Sequence, residues 1–281
     1  MCMFHVEKME TVDFSFAVQL ANTMGWNMTS EDFEFMMKLE PQGCFIQFHA
    51  NERVGVATAI SFGKVGWFGN FIVKEDIREK GAGSLLITKA IDYLQNKGVE
   101  TIGLYAYPHL VKFYERFGFK PDIDFSVLKG KGTFPSIKAE LKEATKRNIP
   151  ELIDLDCTCF GANRKKLLSS IILKDDNLCY VSTENSKITG YVAAKVYDKM
   201  AEVGPLICSS KNVNAALQLI KTILARINDH ESSIYIPSKE VEILNMLYQA
   251  GLEKDFSLVR MFHGPVITNK CIYAAESLER G

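Results

Sequence analysis

Arg78-Glu79-Lys80-Gly81-Ala82-Gly83-Ser84 joins the apolar run Phe71-Ile72-Val73 to the amphipathic stretch Leu85 to Leu94. The pattern reads as a strand that ends in a glycine-bearing turn opening straight onto a helix. Such a junction makes an anion site. The first N–H groups of a helix have no internal partner, they point outward, and the helix dipole adds partial positive charge. Glycine at 81 and 83 removes the Cβ atoms that would hold a phosphate oxygen away from those amides, and Arg78 adds a permanent charge able to form two parallel bonds.

The 281 residues around this turn favour two domains over one. With 47% hydrophobic residues, 24% charged residues and a net charge of −1, the chain has no broad electrostatic attraction for nucleic acid or anionic lipid, so phosphate recognition has to be local. No apolar run approaches the roughly 20 residues of a bilayer span, and Met1 to Glu10 lacks the apolar centre of a secretory signal; a cytoplasmic protein without membrane or nucleic-acid partner is expected. Seven scattered cysteines, several inside apolar runs, point to packed thiols and no disulfide framework. Cys157 and Cys159 have one residue between them where zinc pairs usually have two, and no second ligand pair accompanies them, so no metal is expected.

Periodicity predicts helices at Val12 to Met24 and Ser30 to Leu39, strands at Cys44 to His49, Val54 to Ser61 and Trp67 to Val73, then a helix at Ala82 to Lys97. A strand at Thr101 to Ala106, a short helix at His109 to Phe117 and a further strand follow. From about Ser136 the order repeats. Helices are predicted at Asn148 to Cys159 and Arg164 to Leu173, strands at Leu178 to Thr183, Ile188 to Val196 and Ala201 to Cys208, then a long helix, a strand at Ser233 to Ile236 and a helix at Glu240 to Ala250. Gly55 and Gly190 are 135 residues apart (190 − 55), as are Gly69 and Gly204 (204 − 69). This is a tandem duplication, with a linker-like joint at Gly130-Lys131-Gly132-Thr133-Phe134-Pro135 and halves at residues 1–132 and 133–281. The second half has Val213 to Gln218 where the first has the phosphate turn, without arginine or glycine. The halves share a fold and not a function.

The first half resembles the GNAT superfamily of acetyl-CoA-dependent N-acetyltransferases. It has that family's Arg/Gln-x-x-Gly-x-Gly/Ala as Arg78-x-x-Gly81-x-Gly83, and its aromatic-Tyr-x-x-x-Gly-Phe as Phe113-Tyr114-Glu115-Arg116-Phe117-Gly118-Phe119, with one helix and one strand between them. The whole chain is similar to a tandem subgroup whose second half is a degenerate GNAT-like domain. The resemblance implies an α/β fold of the α+β kind: two tandem GNAT-like domains, each a mixed, mostly antiparallel sheet flanked by helices, the first with a splayed parallel strand pair for CoA. It implies pyrophosphate contacts from Arg78, Glu79, Lys80, Gly81, Ala82, Gly83 and Ser84, and backbone pairing of Phe71, Ile72 and Val73 with the pantetheine arm. Gly69-Asn70 suits the bulge that would splay the central strand. Tyr107 stands where many members have asparagine.

Direct transfer of an acetyl group from acetyl-CoA to a primary amine is the activity so implied, with Tyr114 donating a proton to the leaving sulfur. The other reading of Tyr114 is a ring packed on the sheet. Trp26 and Asn27, between the first two helices, border the acceptor in this family, or else cap the core. Glu31, Asp32 and Glu34 are the carboxylates available as a base, or else a solvated helix face. The acceptor is a small-molecule amine or an exposed amino group, and the protein is a monomer or a homodimer. A non-catalytic module that binds acyl-CoA for regulation is the alternative. A P-loop or dinucleotide site is disfavoured, because the turn lacks Gly-Lys-Ser/Thr and does not follow the first strand of a βαβ unit.

Overall fold

A computed structural model of the chain describes residues 4–134, 141–209, 212–267 and 271–281. It divides into two compact units: residues 1–104 with 263–265 and Arg280, and residues 105–262 with 266–279 and Gly281.

The first unit contains β1 (Phe4–Lys8), α1 (Phe14–Asn22), α2 (Ser30–Leu39), β2 (Cys44–His49), β3 (Glu52–Ser61), β4 (Val65–Val73), α3 (Ala82–Asn96) and β5 (Thr101–Ala106), the last as far as Leu104. The strands lie in the order β1-β2-β3-β4-β5, antiparallel except for the parallel pair β4 and β5. Helical spacing selects the apolar stripes. Phe14, Ala17 and Ala21 on α1, Phe33 and Met36 on α2, and Leu86, Ile87, Ala90 and Leu94 on α3 are all buried. These stripes and the inward faces of the strands make the core.

The second unit contains α4 (Val111–Glu115), β6 (Lys120–Gly130), β7 (Lys142–Glu143), α5 (Ile149–Phe160), α6 (Lys165–Ile172), β8 (Leu178–Glu184), β9 (Lys187–Val196) and β10 (Met200–Cys208). α7 (Val213–Arg226), β11 (Glu231–Pro237), α8 (Val241–Gln249), β12 (Glu253–His263) and β13 (Ile272–Ala274) complete it. Its strands run β12-β6-β11-β10-β9-β8-β7, with β13 beside β10. Ala216, Leu219, Ile220 and Ile223 of α7 pack on Val192 and Ala194 of β9 and on Val203 and Leu206 of β10 in one buried cluster.

The duplication is written into the strand register. Gln47 faces Gly55 and Gly55 faces Val73 in the first unit; Ser182 faces Gly190 and Gly190 faces Cys208 in the second, each residue displaced by 135 (182 − 47, 190 − 55, 208 − 73). The compact units do not coincide with the sequence repeats. β6, from the first repeat, is antiparallel to both β11 and β12, so Tyr105 to Gly130 falls in the second unit. Arg260 to His263 form the end of β12. No described helix is long and apolar enough to cross a membrane.

Candidate functional site

Three features of the first unit converge on the stretch from β4 to α3. The parallel pairing of β4 with β5 covers Val65, Gly66 and Trp67, opposite Thr101, Ile102 and Gly103, and β4 runs on to Val73 past its end. On the other side of β4 the register slips between Val56, opposite Ile72, and Thr58, opposite Gly69. Asn70 sits in this bulge with φ of 48°, a left-handed conformation that asparagine tolerates better than most residues. The predicted bulge at Gly69-Asn70 is therefore present, and with it a parting of β4 from β5.

The turn after β4 contains a 3-10 turn at Glu75–Ile77, then Arg78, then Glu79 at φ of 63° and Gly81 at φ of 90°. Gly81 is the N-cap of α3, and no side chain caps the helix. Its first turn carries no acidic residue. Only glycine holds φ of 90° at little cost, and the space where its Cβ would stand is open, with nothing within 4 Å. Arg78 Nε donates to the Val73 carbonyl at 3.2 Å, which ties the guanidinium to the end of the strand while its side chain stays exposed. Lys80 Nζ donates to the Asp76 carbonyl at 2.8 Å. Ala82 is buried, Gly83 and Ser84 are half-buried, and Phe71 is half-buried between the buried pair Ile72 and Val73 and the bulge.

The corresponding helix of the second unit differs in the feature that matters. The side chain of Asn212 accepts from Ala215 N–H at 3.1 Å, so the chain itself satisfies an amide at the start of α7.

Sequence reasoning missed two polar residues beside the bulge and one role within it. Gln47 is fully buried on β2, and its Nε2 donates to the Ala82 carbonyl at 2.8 Å, fastening the first turn of α3 to the sheet. The Oε1 of Gln47, the Oγ1 of buried Thr58 and the Nδ2 of Asn70, a residue 8% exposed, have no hydrogen-bond partner among the described residues. An unpartnered buried polar atom costs about 1–3 kcal/mol, so these three are a local cost of the irregular pairing in this part of the sheet. The available signal was a lone amide in the apolar run Cys44-Phe45-Ile46-Gln47-Phe48.

Trp26 is half-buried, and Asn27 is exposed with φ of 52°, in the connection between α1 and α2. Two of the three carboxylates named as bases have structural employment. Asp32 Oδ2 accepts from Thr29 N–H at 2.8 Å and from Thr29 Oγ1 at 3.1 Å in a capping box, and Glu34 pairs with Lys38 at 3.3 Å. Glu31 is exposed on α2.

Tyr114 belongs to the second unit, where it is 5% exposed, with its ring edge-on to Phe113 at 5.2 Å and to Phe119 at 6.0 Å. Burial pushes its phenol well above the ordinary value. Tyr107, at the position where asparagine is common, packs against Phe256 at 5.4 Å and stacks on His109 at 5.8 Å.

The chain matches two family profiles, one described as acetyltransferase (GNAT) family over residues 13–119 and the other as acetyltransferase (GNAT) domain over residues 152–274. An uncharacterized N-acetyltransferase of Bacillus subtilis (strain 168), YitH, is 24% identical over 243 residues, spanning 85% of this chain and 84% of that protein. A crystal structure from Pyrococcus horikoshii, itself provisionally described as an acetyltransferase, superposes with a TM-score of 0.82 at 21% identity, covering 99% of this chain and 96% of its own. A GCN5-related N-acetyltransferase from Sphaerobacter thermophilus gives 0.68 at 14% identity, covering 94% and 97%. With one profile on each repeat and a glycine turn opening α3 in the first, the chain belongs to the GNAT superfamily of acetyltransferases and carries two GNAT domains in tandem.

Proposed function

We propose that this acyltransferase moves an acetyl group from acetyl-CoA directly to a primary amine in a ternary complex, and that its first half, residues 1–132, binds the cofactor while the second, residues 133–281, supports it. The observation that carries this reading is the open, uncapped start of α3 immediately beyond the parted end of β4. The amides from Glu79 to Ser84 would meet the pyrophosphate, and Arg78, already oriented by Val73, would add its charge. Phe71, Ile72 and Val73 would pair with the amide-bearing pantetheine arm.

The chain's own contribution to the chemistry is to position, to polarise and to move protons. Holding thioester and amine in one geometry supplies a large share of the barrier reduction. A strand N–H near Ile72 or Val73 polarises the thioester carbonyl. Tyr114, buried and protonated at neutral pH, gives a proton to the departing sulfur. Trp26 and Asn27 border the acceptor. Asp32 is held in its capping box and Glu34 pairs with Lys38, so the proton of the amine leaves through Glu31 or a water chain to solvent.

Thiol release from acetyl-CoA across a panel of small amines and peptides with free amino groups, followed by mass spectrometry of the acetylated product, tests the reading. Turnover with an amine supports it. Saturable binding of acetyl-CoA with no thiol release for any acceptor would replace it with the regulatory module that binds acyl-CoA without reaction.

A further inference from the structure

In the second half a strand of the chain itself lies where β10 parts from its parallel neighbour. The pairing of β10 with β11 ends at Val203 opposite Ile234; beyond it β10 takes β13 as an antiparallel neighbour, with Leu206 opposite Ala274 and Ile207 opposite Ile272. The inserted segment is bonded to both walls. Cys208 N–H on β10 donates to the Cys271 carbonyl at 3.0 Å, and Ala275 N–H donates to the Tyr235 carbonyl on β11, also at 3.0 Å.

The segment is buried along its length, with Ile272, Tyr273, Ala274 and Ala275 between 0% and 8% exposed. Its far end is held by charge. Fully buried Glu276 meets Lys195 at 2.6 Å, Glu202 meets the same ammonium at 2.5 Å, and the Tyr235 hydroxyl donates to Glu202 at 2.6 Å. Its approach to β10 is close enough that a Cβ at Gly204 would stand 1.9 Å from the Ala275 oxygen.

We propose that the parted strands β10 and β11 form a groove that binds an extended peptide, and that residues 271–276 are its ligand, supplied in cis. The groove is selective for a peptide over a CoA-like molecule for two reasons. The Asn212 side chain already takes the Ala215 amide at the start of α7, which competes with a pyrophosphate there. Glu276 adds its carboxylate to the Lys195 ammonium, which Glu202 also holds, a contact that a neutral pantetheine arm lacks. Without its occupant the groove leaves the end of β10 as an unpaired strand edge. The occupancy of this groove stands apart from the reading of the first half, and its test does not use acetyl transfer.

Two variants test it. A chain shortened after Lys270 melts about 5 °C or more below the full chain, binds a fluorescent peptide of sequence 271–281 at one site, and recovers stability when the peptide is added. The full chain does not bind that peptide. Gly204→Ala removes nothing but drives a methyl into the Ala275 carbonyl, so the amides of Cys208 and Ala275, which bond across the insertion, exchange hydrogen at least tenfold faster. Should the shortened chain fail to fold, that exchange rate decides alone. Normal exchange in Gly204→Ala, a folded shortened chain that ignores the peptide, or a second equivalent of acetyl-CoA taken up by the shortened chain overturns the proposal.

Discussion

Replacing Gly81 with alanine puts the pyrophosphate seat to a quantitative test. At φ of 90° an alanine pays for a left-handed conformation with about 1–2 kcal/mol, partly offset by the smaller freedom it has when unfolded. No neighbour lies within 4 Å of the new Cβ, so packing adds nothing and the cost is conformational. For a chain of this size that corresponds to a fall of about 2–3 °C in melting temperature. Binding suffers separately. If the turn relaxes out of its left-handed state, the amides at the start of α3 change direction, and loss of one hydrogen bond to a charged phosphate is worth about 1.5–3 kcal/mol, or roughly 10–150-fold in affinity. Titration calorimetry with acetyl-CoA and with S-acetyl-pantetheine, which has the thioester and no pyrophosphate, separates the two effects. Weaker acetyl-CoA binding with unchanged acetyl-pantetheine binding is expected. Equal weakening of both ligands, or an unchanged acetyl-CoA affinity in a destabilised variant, refutes the assignment of the turn.

Three other outcomes follow from the geometry. Tyr114→Phe should lower kcat by about 100-fold or more while leaving the acetyl-CoA dissociation constant unchanged, measured by single-turnover kinetics beside calorimetry; an unchanged kcat returns Tyr114 to a packing role. Asp156→Asn should destabilise the second unit by about 3–5 kcal/mol in denaturant melts, because Asp156 receives Arg164 Nε at 3.0 Å, Arg164 Nη2 at 2.7 Å and the Tyr191 hydroxyl at 2.7 Å, and Arg164 is 1% exposed. An Asp156→Leu, Arg164→Met double variant should regain most of that loss. Burial pushes the thiols of Cys44, Cys179 and Cys208 up to about 12 from 9.0. The folded state therefore keeps protons that the unfolded state gives up above about pH 9, and stability falls with rising pH between about 9 and 12; thermal melts at pH 8 and pH 10 check the sign.

The strands at Cys44–His49 and Thr101–Ala106 and the helix at Ser30–Leu39 have the limits their patterns predict, because the strands are short, almost continuously buried runs and the helix presents one apolar stripe. The glycine turn and the bulge at Gly69-Asn70 were equally legible, since both depend on local backbone freedom that residue type announces. What pairing decides was not. Nothing in Lys120 to Gly130 states that its neighbours will be β11 and β12, and β13, at Ile272–Ala274, is too short to show alternation. The Gln47 contact with Ala82 was hidden for the same reason: 35 residues separate the two, and only the assembled sheet brings them together.

The place of β6 has a genetic consequence. A copying event produced two lengths of sequence that meet near residue 132, but the sheet of the second unit is woven from both, with β6 lying between β11 and β12. A break at the joint would strip β6 of both neighbours and leave a missing rung between the other two, baring strand edges that invite aggregation. The two copies have in this way lost their independence as heritable modules: recombination can move the pair, and it can no longer move either one intact.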